Sequence, residues 1–179
     1  MRLLPIVAAL FLAAPGWAPA WAQAPRGQAP ARPARMGEFQ SWTAATHTEN
    51  GQKVCYAFAR ARSAEGVPGR EATSVMLLVT HRANGRDQVA ARVAYPYARG
   101  AEPRLTIGTT ELPFYVSADT AFARDGRAVV AALRGGSEAR LRGPGPNGRG
   151  AANDAFPLAG FAQAYEAISR ECPAAAPRR

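Results

Sequence analysis

Along most of this chain the apolar positions recur every second residue, the period of a strand with one buried face. Phe39–Thr46 reads as a first strand, with Phe39 and Trp42 as its large residues. Asn50-Gly51 follows, a dipeptide that tolerates positive φ and marks a tight hairpin. Gln52–Ala59 returns as the second strand, with Val54, Tyr56 and Phe58 on one face and Cys55, Ala57 and Ala59 on the other. Ser63–Arg70 reads as a loop, and Thr73–Thr80 as a strand buried on both faces because Val75–Val79 is continuously apolar. Asn84-Gly85 turns the chain into Gln88–Tyr95, where Val89, Ala91, Val93 and Tyr95 alternate inward and Arg92 points out. Arg104–Ile107 and Glu111–Val116 flank Gly108 as another hairpin, and Ser137–Arg142 and Ala151–Pro157 flank the Gly/Pro turn Gly143–Gly150.

Two segments change period. Asp125 is a ready N-cap for a short helix carrying Val129, Val130 and Leu133 and ending at Gly135-Gly136. In Leu158–Glu171 the residues Leu158, Phe161, Tyr165, Ile168 and Cys172 step by three, four, three and four, an amphipathic stripe lying on a core. The pattern predicts an all-β sandwich or partly closed barrel of about eight antiparallel strands. One short helix and a C-terminal helix packed on the sheet complete it.

Cys55 and Cys172 are the two cysteines. Cys172 falls on the buried stripe at the helix end, and Cys55 sits beside two alanines whose small side chains admit a helix. The two can therefore meet as a long-range disulfide. That fits the start of the chain: Arg2, an apolar run Leu3–Ala14 and Ala20-Trp21-Ala22 form a Sec-type signal cleaved after Ala22. A retained signal anchor is the alternative reading of that segment, though the apolar run is shorter than the ~20 residues a bilayer needs. The expected organisation is a signal at 1–22, a disordered Pro/Ala/Arg linker at 23–37, a β-rich domain at 38–173 and a flexible tail at 174–179. The expected location is periplasmic or secreted.

The formal charge of +9 suggests nucleic acid until its placement is read. Arg2, Arg26, Arg32, Arg35, Arg178 and Arg179 lie outside Met36–Cys172, so six of those nine charges belong to the flanks. With no basic–aromatic interleaving, nucleic-acid binding is not expected. Contact with a membrane is at most peripheral, through the basic tails.

Candidate chemistry is thin. His47 and His81 are the two histidines, and neither has metal-ligand neighbours beyond Glu49. No Gly-x-Ser-x-Gly elbow marks a serine nucleophile, although a Ser–His–acid triad could assemble from scattered residues. Gly143–Gly150 lacks the Gly-Lys-Ser/Thr ending of a phosphate loop, and its prolines lack N–H donors. Tyr95, Tyr97 and Tyr115 could mark a binding surface or pack in the core. The expectation is no catalytic, cofactor-binding or metal residue, and a disulfide as the one defined site.

Several stretches in order carry a family resemblance. They are Trp42, Lys53-Val54-Cys55-Tyr56, Val79-Thr80-His81-Arg82 and Val93-Ala94-Tyr95-Pro96. Ala131–Ser137, Asp154–Phe161, Ala164, Ile168 and Cys172-Pro173 follow. Through them, over about Phe39–Pro173, the chain resembles the invasion-associated locus B family of exported bacterial proteins. Ser117–Arg124 is shorter than usual for that family, and Pro157 replaces a more usual polar residue. The resemblance implies a β-rich envelope domain, a link to host-cell entry in the member that gave the family its name, and no catalytic residues to carry over. The expected function is a non-enzymatic envelope protein that binds a partner, of unknown identity, and supports host interaction or invasion. The alternative is a periplasmic carrier of a small ligand or lipid, which requires an apolar cavity between sheet and helix.

Overall fold

The computed structural model describes residues 33–174. The expected signal segment, most of the linker and most of the tail lie outside them. Eleven strands form one antiparallel sheet: β1 Ala34–Phe39, β2 Trp42–Glu49, β3 Gln52–Arg60, β4 Ser63–Glu65, β5 Met76–Arg82, β6 Gly85–Arg92, β7 Arg104–Ile107, β8 Thr110–Ser117, β9 Thr120–Ala123, β10 Glu138–Pro144 and β11 Ala151–Pro157. The helices are α1 Gly126–Gly135 and α2 Phe161–Glu171. The strand order is β1-β2-β3-β5-β6-β9-β8-β7-β10-β11-β4, and no ladder joins the two edges.

This replaces the expected sandwich or partly closed barrel of about eight strands with one open sheet of eleven. The sheet wraps so far that β4, two residues after β3 in the chain, pairs with β11 at the opposite edge. Arg62 N–H donates to Ala155 O at 2.7 Å there. Trp42 Nε1 donates to Pro157 O at 3.0 Å and Ser41 N–H to Ala159 O at 3.2 Å, tying the start of β2 to the end of β11. With the sheet coiled on itself, helices rather than a second sheet cover its inner face.

The three extra strands are β1, β4 and β9. The predicted first strand is in fact a hairpin, β1 and β2, reversed at Gln40 with φ 53°. Residues 34–37 of the expected linker therefore belong to the sheet. Ser63–Glu65, read as loop, is β4, and the stretch before α1 contains β9. Each lacks a sequence signal: Gln40-Ser41 is not a turn dipeptide, and β4 and β9 are too short to show a period.

The longer elements match the alternation. Asn50 and Gly51 take φ of 50° and 77° and turn β2 into β3. Asp125 Oδ1 accepts the Ala128 N–H at 3.0 Å and caps α1. Strand β5 departs in one respect: Leu77, Val79 and His81 are buried, but Met76 and Leu78 are half-exposed on the other face. The inner face carries Ala44, Ala57, Ala59, Ala91 and Ala121, all buried, so backbones and helices come close. Trp42, Phe114, Phe156 and Phe161 fill the space that remains, and the Trp42 and Phe161 rings meet edge-on at 4.8 Å.

Candidate functional site

Helix α2 lies on β1, β2, β3 and β5 through its predicted stripe, with Phe161, Ala164 and Ile168 buried. Its C-terminal end is tied both covalently and by hydrogen bonds. Cys55 and Cys172 form the expected disulfide, with Cα atoms 6.0 Å apart. One strand over, His81 is the register partner of Cys55 and is 1% exposed. Its Nε2 lies 3.1 Å from Ser169 Oγ, and its Nδ1 lies 3.2 Å from the Asp87 backbone N. Arg86 also donates to Ser169 Oγ, at 3.2 Å, and to the Cys172 carbonyl. Tyr165 Oη donates to Asp87 Oδ1 at 2.6 Å.

Ser169, His81 and Asp87 thus stand in the order of a hydrolytic triad, with His81 Nδ1 3.8 Å from Asp87 Oδ1. The polarity runs the wrong way for catalysis. A triad histidine gives its Nδ1–H to the acid and accepts the serine proton at Nε2. Here the Asp87 backbone N–H donates to Nδ1, so a neutral ring carries its proton on Nε2 and donates it to Ser169. Ser169 Oγ receives a second donor from Arg86. Burial, and then the Arg86 charge, push the His81 pKa down to about 4. The trio holds α2 to the sheet. The sequence gives no sign of Ser169 or Asp87 beside His81, because the three come from separate elements.

A second buried polar cluster closes the other end of the core. Arg70 and Asp154 side chains are 2% and 1% exposed, with Nη1 2.6 Å from Oδ1. Arg70 Nε has no partner among the described residues. Arg70 also donates to Glu65 O at 3.0 Å and Val93 O at 3.3 Å, and lies 5.3 Å above the Tyr95 ring. Tyr95 Oη donates to Pro144 O at 2.9 Å. Burial raises the Tyr97 pKa, and raises that of Asp154 against the pull of Arg70. Tyr95 and Tyr97 therefore pack rather than bind, and the buried pair pins the loop before β5 to β11.

On the surface, Glu49 accepts from Arg82 at 2.7 and 3.0 Å and lies 2.8 Å from His47 Nε2. The Arg82 hydrogen bonds, and then that to His47, lower its pKa to about 2. Gly143–Gly150 is a turn closed by Gly145 N–H to Gly150 O at 3.2 Å.

The face without helices is the remaining feature. Phe58, Leu78, Ala90, Phe122 and Tyr115 are successive register partners across β3, β5, β6, β9 and β8. They make one apolar row across five strands. Tyr115 stacks on Phe122 at 5.5 Å and is 45% exposed; Tyr56 stacks on Phe58 at 6.1 Å. The neighbouring register row is Arg60, Met76 and Arg92. A shallow groove of about 660 Å³ runs along this face between Met76, Leu78, Phe122 and Tyr115.

A wrapped antiparallel sheet with a disulfide-tied C-terminal helix and an open aromatic face defines a small, mainly β domain. The model of the family described as Invasion associated locus B (IalB) protein matches residues 42–169, and the chain belongs to that family. Among solved structures it is similar to the invasion associated protein B of Bartonella henselae, with 18% identity and a TM-score of 0.56. That match covers 75% of this chain and 95% of the other. The comparison with curated proteins returns no match.

Proposed function

We propose that this protein is an exported, non-enzymatic binding protein of the bacterial envelope whose working surface is the helix-free face of the sheet. The observation that carries the reading is the apolar row from Phe58 to Tyr115, with arginines in the adjoining row. Aromatic residues, methionine and arginine are the types enriched in protein interfaces, and lysine is depleted there. The occupant this composition fits is a folded protein surface with complementary apolar side chains. The disulfide supports an oxidising compartment. The reversed polarity at His81 speaks against hydrolysis. The carrier reading needs a cavity between sheet and helices, and that space holds Trp42, Phe114, Phe156 and Phe161, all buried.

The test places a photo-crosslinking residue at Tyr115 and, as a control, at Arg140 on the opposite half of the sheet, in intact envelopes. A single protein adduct at Tyr115, absent at Arg140 and displaced by excess purified domain, supports the reading. A lipid adduct, or the same background at both positions, overturns it. Where the host genus invades cells, loss of entry in a Tyr115→Glu strain that keeps normal protein levels would join this surface to the process in the family name.

A further inference from the structure

We propose that the last turn of α2 is an acid-labile latch: a second proton on His81 breaks its bond to the Asp87 N–H and releases the Ser169 side of the helix, while the disulfide remains as a tether. The geometry leaves the ring no good way to hold two protons. Its Nδ1 faces a backbone donor at 3.2 Å, so an imidazolium would set N–H against N–H. Its Nε2 shares the Ser169 hydroxyl with the Arg86 guanidinium, so protonation brings two cations to one oxygen.

The groups around the ring sharpen this. From β6 come Arg86 and Asp87; from α2 come Tyr165 and Ser169; from β3 comes Cys55, held in the disulfide. Arg134 of α1 lies over the Tyr165 ring at 4.7 Å and adds positive charge nearby. Among the described residues the one carboxylate facing the ring, Asp87, is 3.8 Å from Nδ1 and already accepts Tyr165 Oη at 2.6 Å. Opening the turn frees the imidazole to ionise at its ordinary value. Each unit of pH below about 6.5 then favours the open turn by about tenfold, until the closed form itself protonates. The opening uncovers Ile168 and the alanine face of β3.

The experiment is amide hydrogen exchange on the disulfide-intact protein from pH 7.5 to 5.0, corrected for intrinsic exchange rates. The expected result is a roughly thirtyfold rise in the opening constant of the α2 C-terminal turn between pH 7.5 and 5.0, roughly fifteenfold of it below pH 6.5, with the β3 amides near Ala57 steady. His81→Gln retains an amide donor toward Ser169 and lacks the titration, so its opening is expected to be flat with pH. Equal pH dependence in wild type and His81→Gln overturns the latch, as does pH-independent exchange in the wild type. Should His81→Gln fail to fold, the wild type decides: an imidazole that titrates while the α2 turn stays protected overturns the proposal, and exchange of that turn that rises in step with imidazole protonation supports it.

Discussion

Cys55 and His81 face each other in register across β3 and β5, and each is tied to the same turn of α2, Cys55 to Cys172 and His81 to Ser169. Ser169 and Cys172 are three residues apart, so a covalent and a hydrogen-bonded tie leave the helix from one side. The end of the helix that crosses the alanine face is thus held at two neighbouring points of the sheet.

Removing the covalent tie should cost a great deal. The bridge spans a sequence separation of 117 residues. Cys55→Ser with Cys172→Ser should lower stability by about 4–5 kcal/mol in the chain-entropy account. The urea midpoint of the pair variant, against wild type under non-reducing conditions, measures it. An unchanged midpoint would mean that the bridge is incidental.

Acid should destabilise the whole fold through His81. The folded state holds this ring neutral, with a pKa near 4, while the unfolded chain ionises near 6.5. The unfolded state therefore binds more protons, so the stability from this group is full above pH 6.5 and is lost as pH falls towards 4. The loss approaches about 3 kcal/mol. Denaturant melts at pH 7 and pH 4.5 should differ less in His81→Gln than in wild type, carboxylate effects being common to both.

The Arg70–Asp154 pair should behave as a buried pair does. Asp154→Ala leaves the Arg70 charge buried without its counterion and should cost about 3–5 kcal/mol. Arg70→Met with Asp154→Leu should be far closer to neutral, because the desolvation cost leaves with both charges. If the double variant is the worse of the two, the pair contributes to stability well beyond its mutual neutralisation.

Ala57→Leu tests how closely the helix lies. Ala57 is fully buried on the face that α2 covers, so extra methyl groups force the helix away and should cost about 1–3 kcal/mol. Tyr115→Ser, on the open face, should change stability by no more than about 0.5 kcal/mol. Thermal melts of the two variants side by side separate a packed face from an open one.

Alternation along β3 was enough to assign Cys55, Ala57 and Ala59 to one face, because a period of two follows from strand geometry alone. The stripe ending at Cys172 likewise follows from helix geometry, and so the disulfide is legible in the sequence. Asp125 and the Asn50-Gly51 turn were legible for the same local reason. Strands β1, β4 and β9 were not, since a few residues without turn chemistry at their ends carry no period. The sequence also left open which face of β3 was the core: Val54, Tyr56 and Phe58 are the larger set, yet Tyr56 and Phe58 lie on the half-exposed side.

What the sequence by itself determined is therefore the set of longer elements, the faces of each and the covalent staple, all consequences of backbone period and local capping. Only the tertiary structure decided that one sheet wraps on itself, that His81, Asp87 and Ser169 converge with their polarity reversed, and that Phe58 to Tyr115 form one row. Those relations join residues from separate strands and helices. Their register depends on how the whole sheet coils and packs, which no local pattern encodes.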